Sequence, residues 1–343
     1  MPAEWEPHEG TWLAWPHNKE HWPGKFEPVP LCYVEIIRAL AESEKVFVCV
    51  NDQKMEDEAR GFLARGGLSA GGQLSPELLK NVFFYNILTN SSWMRDIGPI
   101  FVRKAGGKLV ITDWIFNAWG NKYKPYDRDD VVPRHVGKLL GMRVVEPGIV
   151  MEGGSIDVNG NGLLLTTEQC LLNKNRNPKL NRAQIEEYLN KYLGAKKVLW
   201  LKEGIVGDDT DGHIDDIARF VSADTVVCAV ETNKADENYG ILQECYNDLK
   251  KMTDQDGKPL KVIVLPMPDP VIYKGERLPA SYANFYIGNS VVIVPTFNCD
   301  KDEEARRVLQ KCFPGRKVVS IDCRDLIWGL GTLHCSTQQQ PVA

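Results

Sequence analysis

A chain of 343 residues with 43% apolar and 25% charged side chains has the makings of a packed core and is neither a disordered tail nor a fibre. Its net charge of −5, with acids and bases mixed along the chain, argues against a nucleic-acid partner and favours a cationic one. No apolar run approaches the ~20 residues of a membrane span. The start, Met1-Pro2-Ala3-Glu4-Trp5-Glu6-Pro7, has neither the basic nor the apolar region of a signal peptide. A cytoplasmic protein whose nine scattered cysteines stay reduced is therefore expected.

In chain order, 11–15 reads as an apolar strand, 31–43 as an amphipathic helix, 46–50 as a buried strand, and 53–64 as a second helix stopped by Gly66 and Gly67. Ser75-Pro76-Glu77 has the form of a cap, a first-position proline and an acidic first turn. Strand 82–85 follows. Then come Arg95 and Asp96 at a strand entry, hairpin 100–102/109–112, helix 129–140 stopped by Gly141, and strand 143–145. That order recurs three times. Glu152 leads into 155–158 and 162–166, helix 182–193 and strand 197–201. His213 leads into 217–221 and 225–230, helix 237–252 and strand 262–265. Asn284 leads into 285–287 and 291–295, a helix opened by the capping-box pattern Asp300-x-x-Glu303, and strand 317–320. A last strand, 333–337, has no partner except the leftover strand 11–15. The expectation is five ββαβ units closed into a ring, forming one domain over 1–343, although length alone suggests two domains. Asp96, Glu152, His213 and Cys335 then occupy equivalent places at the start of each unit's first strand, and such places converge on one axis.

Two local patterns mislead. His17-x-x-Glu20-His21 matches a zinc-hydrolase motif, but prolines at 16 and 23 leave no room for the continuous helix that chemistry needs. Asp157, Asn159, Asn161 and Glu168 fit a calcium loop, but Gly153 and Gly154 precede it where a helix should stand, and 159–162 is a good hairpin turn. A zinc hydrolase and a calcium module are therefore the readings to reject.

The chemistry concentrates elsewhere. Cys335 lies in Gly329-Leu330-Gly331-Thr332-Leu333-His334-Cys335, where the glycines allow close backbone approach. Strand alternation turns His334 away from Cys335, so the base must come from another part of the chain. His213 and Asp215, two apart on a strand, share a face. An imidazolium activates a thiolate, and Glu152 could orient the ring. Asp96 and Asp215 are then surplus to a simple thiol hydrolase. Paired carboxylates match a planar guanidinium, so attack on a guanidinium carbon is expected. The other cysteines, Cys170 and Cys228 among them, read as small core residues, and His8 and His135 as surface.

Trp93-Met94-Arg95-Asp96-Ile97-Gly98-Pro99, Phe116-Asn117-Ala118-Trp119-Gly120, Glu152-Gly153-Gly154-Ser155, Thr166-Thr167-Glu168-Gln169-Cys170-Leu171-Leu172-Asn173 with Asn175-Arg176-Asn177-Pro178, Gly212-His213-Ile214-Asp215 and Gly331-Thr332-Leu333-His334-Cys335-Ser336-Thr337-Gln338-Gln339 stand in this order over nearly the whole chain. In them the sequence resembles the agmatine deiminase and bacterial-type peptidylarginine deiminase family, within the guanidine-modifying pentein superfamily. The resemblance implies a five-bladed pseudo-symmetric α/β propeller with no cofactor and no metal. It implies Cys335 as nucleophile, His213 as acid and base, Glu152 as partner of His213, and Asp96 and Asp215 as guanidinium holders. A thiouronium on Cys335 would form with loss of ammonia and be hydrolysed to a ureido product.

No arginine is free for a substrate carboxylate, since alternation turns Arg95 away. An amine end instead wants an acid or an aromatic face, for which Asp209 and Trp93 are the candidates. Agmatine, a precursor of putrescine, is the favoured substrate, and a peptide arginine is the second choice. A homo-oligomer is compatible with the sequence, which does not fix it.

Overall fold

The structure, a computed structural model, describes residues 1–67, 72–104 and 106–343. Its strands form short sheets of one recurring order, in which the second strand pairs antiparallel with the first and parallel with the third. A parallel pair needs a crossover, and the helices expected from sequence supply it. Strands β1 (His8–Ala14), β2 (Lys45–Val50) and β3 (Val82–Asn86) pair in parallel, joined by helices Val29–Ala41 and Gln53–Arg65. In the second sheet β4 (Ile100–Arg103) and β5 (Leu109–Thr112) form the hairpin, and helix Val132–Leu140 leads to the two-residue β6 (Val144–Val145). The third has β7 (Ile156–Val158), β8 (Leu163–Thr167), helix Arg182–Leu193 and β9 (Lys197–Leu201). The fourth has β10 (Ala218–Ser222), β11 (Thr225–Val230), helix Asn238–Leu249 and β12 (Lys261–Pro266). After a small hairpin of β13 (Ile272–Tyr273) and β14 (Glu276–Arg277), the fifth has β15 (Tyr286–Ile287), β16 (Val291–Thr296), helix Lys301–Cys312 and β17 (Lys317–Asp322). The last strand, β18 (Gln338–Pro341), pairs antiparallel with β1, with Trp12 opposite Gln338. The two ends of the chain thus complete one sheet, and that sheet has four strands rather than three.

Local chemistry explains the element boundaries. Asn181 and Gln184 form a reciprocal capping box at the start of helix Arg182–Leu193, and Gly194, at φ 76°, ends it in the left-handed region. Asp300 does not form the capping box expected of it. Asp302 instead accepts from the Phe297 and Cys299 amides, at 3.0 and 3.2 Å, and Glu303 is taken by Arg306 and Arg307. The largest apolar core lies around β1, β2, β16 and helix Val29–Ala41, and two smaller cores lie under the third and fourth sheets.

One expectation is corrected with consequences for the site. Asp96, Glu152, His213 and Cys335 do not start strands. They lie on or beside tight turns that precede the strands: Met94–Ile97, Gly153–Ser155, Ile214–Asp216, and the bend before β18, which begins at Gln338 rather than Leu333. Tyr282–Asn284 is the matching turn before β15. Gly, Asp and Asn favour such turns over strands, so the alternation argument does not hold where it was applied.

These turns touch in a closed circuit. The Gly154 amide donates to Asp96 Oδ1 at 2.8 Å, and Gly154 also packs on His213. Ser281 Oγ donates to the Asp216 carbonyl at 2.7 Å, and the His334 amide to the Asn284 carbonyl at 3.1 Å. The Arg95 amide then donates to the Cys335 carbonyl at 3.0 Å, returning to the first turn.

Candidate active site

A cleft of about 360 Å³ opens onto this circuit. Its buried lining includes Trp93, Asp96, Trp119 and Cys335, while Asp209 and His21 are half-buried and Glu20 and Glu276 are exposed. The cleft therefore runs from a thiol and a carboxylate inside to an acidic mouth. Asn284 positions the thiol: its Nδ2 donates to Cys335 Sγ at 3.1 Å, and its Oδ1 accepts from the His334 amide at 3.0 Å. Gly331 is needed here, since a Cβ would stand 2.8 Å from the Trp93 ring and 3.0 Å from Cys335 Cβ.

Asp215 lies just behind, its Oδ2 3.7 Å from Cys335 Sγ. Asp96 accepts from Trp119 Nε1 at 2.9 Å and is 3.8 Å from His213 Nδ1. His213 is 1% exposed, and neither ring nitrogen has a hydrogen-bond partner among the described residues. A buried, uncommitted imidazole beside two carboxylates is free to take and give a proton. Glu152 lies near His213 without a hydrogen bond to it. One oxygen accepts from Arg176 Nε at 2.6 Å, and the other is unpartnered. Glu152, Cys170 and a His213 ring nitrogen lie within 4.8 Å of one another. Cys170, a small buried core residue as expected, is thus also a neighbour of the imidazole. These three are also the residues that could hold a metal ion, as a sulfur, nitrogen and oxygen set.

Burial and the carboxylates Asp215, Asp216 and Asp96 push the Cys335 thiol well above its ordinary range. Burial opposes a charge on His213, but Asp96, the Cys170 sulfur and Asp215 outweigh it and raise the imidazole well above its usual value. Burial raises Asp96, with Asp215 and Glu152 adding to it against the pull of His213. Asp215 is held low: burial opposes this, but the His334 hydrogen bond and the charges of His334, His213 and Arg219 prevail. Burial and the neighbouring Asp215 and Asp208 drive Asp216 well up.

Gly154 sits where these groups meet. A Cβ there would lie 2.6 Å from His213 Nδ1, 2.9 Å from Asp96 Oδ1 and 3.1 Å from Asp215 Oδ2. Gly154→Ala is expected to lower kcat/KM by roughly a hundredfold, since ångström-scale misplacement costs that much. Overpacking should cost about 1–3 kcal/mol of stability. Steady-state kinetics beside a melting curve checks both.

Trp93 packs on Trp22 at a ring distance of 5.3 Å and lines the cleft, as does Asp209, which accepts from the Tyr123 hydroxyl. Arg95 points away from the cleft, but because of the Met94–Ile97 turn and not strand alternation. Its Nη1 donates to Gln339 Oε1 at 2.7 Å and its Nη2 to Glu4 Oε2 at 3.1 Å.

The zinc pattern fails structurally. Lys19–His21 is a single turn, and the His17 ring nitrogens lie 2.9 and 3.1 Å from the Trp15 and Thr89 carbonyls. The calcium pattern fails too. Asp157 accepts from the Phe220 amide at 2.5 Å and faces Arg219, Asn159 braces the hairpin turn, and Glu168 pairs with Arg182. His8 is buried on the Glu4 carbonyl rather than at the surface. Sequence reasoning assigned no role to Glu4, Asn284, Trp119 and Arg176, although Trp119 and Arg176 stand in stretches that carry the family resemblance. Asn284 had a usable signal, since it opens a unit as Asp96 and His213 do.

An α/β fold of repeated small sheets, with a cysteine and acids at its centre, places the chain among the deiminases. The profile of the Porphyromonas-type peptidyl-arginine deiminase family matches residues 1–341, and the chain belongs to that family. It is 38% identical to the agmatine deiminase of Pseudomonas aeruginosa strain LESB58, over 100% of this chain and 95% of that protein. It is also similar to the solved agmatine deiminase of Enterococcus faecalis, at 34% identity and a TM-score of 0.91, covering 99% of this chain and 95% of that one. A substrate-bound agmatine deiminase of C. jejuni, carrying serine in place of a cysteine, is 34% identical with a TM-score of 0.86, over 99% and 95% of the two chains.

Proposed function

We propose that the chain hydrolyses agmatine to N-carbamoylputrescine and ammonia through a covalent thiouronium on Cys335. The observation that carries this reading is the cleft, with Cys335 and Asp96 inside, Asp215 just behind the thiol, and an acidic mouth. Among the described lining residues the one arginine or lysine, Arg277, is committed to Asp236 at 2.9 Å. Nothing there awaits a carboxylate, whereas Asp209 and the Trp93 face suit an ammonium and its alkyl stem.

The guanidinium enters between Asp96 and Asp215. Its charge offsets the carboxylates that hold the Cys335 thiol up, so the thiolate forms on binding and its proton leaves to solvent. The sulfur bonds to the guanidinium carbon. His213, as imidazolium, protonates one nitrogen, the C–N bond breaks and ammonia departs. Neutral His213 then takes a proton from water, whose oxygen bonds to the same carbon. The C–S bond breaks, releasing the ureido product. Glu152 serves as a charge partner near His213, at a distance its Arg176 contact sets. Splitting the hydrolysis this way lowers each barrier.

The closed circuit of turns and the strand shared by the chain ends support a five-bladed propeller with this site on its axis, and 1–343 as one domain. No helix among the described residues is long and apolar enough to cross a membrane. A cytoplasmic enzyme in putrescine formation is the setting that suits the substrate.

Ammonia release from agmatine, arginine and a blocked arginine peptide, measured side by side with chelator present, tests the reading. Agmatine is expected to be preferred by roughly a hundredfold or more, as like charges at the acidic mouth disfavour a carboxylate. Preference for the peptide would make the enzyme a peptidylarginine deiminase.

A further inference from the structure

We propose that Glu4, acting through His334, is a positioning residue that keeps Asp215 a carboxylate aimed at the guanidinium. The inference rests on the deiminase reading above. Asp215 Oδ2 lies 2.7 Å from His334 Nδ1, and His334 Nε2 lies 2.8 Å from Glu4 Oε2. In its doubly protonated form the imidazole donates through both nitrogens and bridges the two carboxylates. Only that form gives Asp215 both a charge-assisted hydrogen bond and a neighbouring cation.

Glu4 supplies the second acceptor and is itself fixed. It is 4% exposed, its Oε1 accepts from the Ile287 amide at 2.9 Å and lies 2.9 Å from Arg219 Nη2, and its Oε2 accepts from Arg95 Nη2 at 3.1 Å. Arg219 faces Asp157 on its other side. Asp215 is otherwise faced by the acids Asp96 and Asp216 and by the Cys335 thiol, with His213 and Arg219 as the remaining cations. Three buried acids in one place favour protonation of one of them. A protonated Asp215 would no longer attract a guanidinium by charge. The first residues of the chain thereby reach its catalytic centre through one histidine.

The test is kcat/KM for agmatine against pH in His334→Gln and Glu4→Gln, with melting curves. In His334→Gln the acid limb is expected to rise by about one pH unit or more, because Asp215 loses the hydrogen bond and charge of His334. Glu4→Gln is expected to move it the same way by less. At about pH 6 the loss should appear mainly in KM, at least about tenfold, and shrink at alkaline pH. An even loss at every pH, with the acid limb unmoved, would mean that the pair only ties the chain ends together and overturns the proposal. Should these variants not fold, Glu4→Asp decides, because it keeps the charge but draws it back from His334: its acid limb is expected to rise, and an unmoved limb overturns the proposal. A wild-type protein without deiminase activity would sink the functional reading, whereas an active protein whose variants keep the wild-type limb would sink this inference alone.

Discussion

Replacing Cys335 with alanine is expected to lower kcat on agmatine by at least about 10⁵-fold while leaving binding within a few-fold of wild type. The site offers no substitute nucleophile. Cys170 sits behind His213 and does not line the cleft, and Cys228 and Cys245 are buried under the fourth sheet. Asp96, Asp215, Trp93 and Asp209 remain to hold the cation, so calorimetric titration with agmatine should still show binding. Charge favours this outcome. The thiol of the empty site is held protonated by burial and by three nearby acids, so its loss removes no charge from the free enzyme. A variant that kept more than a hundredth of the activity would show that the chemistry does not run through this sulfur.

His213→Asn is expected to cost about 10³- to 10⁴-fold in kcat, because one ring serves both halves of the reaction and positioned proton transfer contributes on that scale. The pH profile separates this role from packing. The reactive form of the first half is the imidazolium, and Asp96, the Cys170 sulfur and Asp215 raise its pKa against burial. A raised group loses its proton only as pH climbs through the raised value. The wild-type alkaline limb should therefore lie above the ordinary histidine range, near 6.5. Asp96→Asn removes the largest favourable charge, so the limb of that variant should move to lower pH. An alkaline limb unmoved by Asp96→Asn would assign the titration to another group.

Much of this was legible in the sequence because the elements repeat. The apolar strands and the capped, glycine-ended helices stand close to where periodicity puts them, and the split first sheet follows from a strand left over at each end. The approaches to those strands were less legible. Met94–Ile97, Gly153–Ser155 and Ile214–Asp216 are single helical turns, too short for any periodicity to register, so a strand rule was applied to residues not on strands. β18 was displaced for a related reason. Three glutamines are poor strand formers, yet they form the strand because partners await them: Trp12 Nε1 donates to Gln340 Oε1 at 2.9 Å, and Arg95 to Gln339. The contacts of Glu4 and Arg176 were not legible because they depend on buried charges far away in sequence. Cys335, Asp96, His213 and Asp215 were found because their residue types could be matched to one chemistry; the structure brings all four together. Glu152 lies beside them, hydrogen-bonded to Arg176 and near the imidazole.

The most direct test is to quench the enzyme with acid during turnover of agmatine and map the protein by mass spectrometry. The account predicts a fraction of Cys335 carrying a mass equal to agmatine less ammonia, absent from Cys335→Ala and lost when substrate is exhausted. Steady release of ammonia with Cys335 unmodified at every quench time would contradict it.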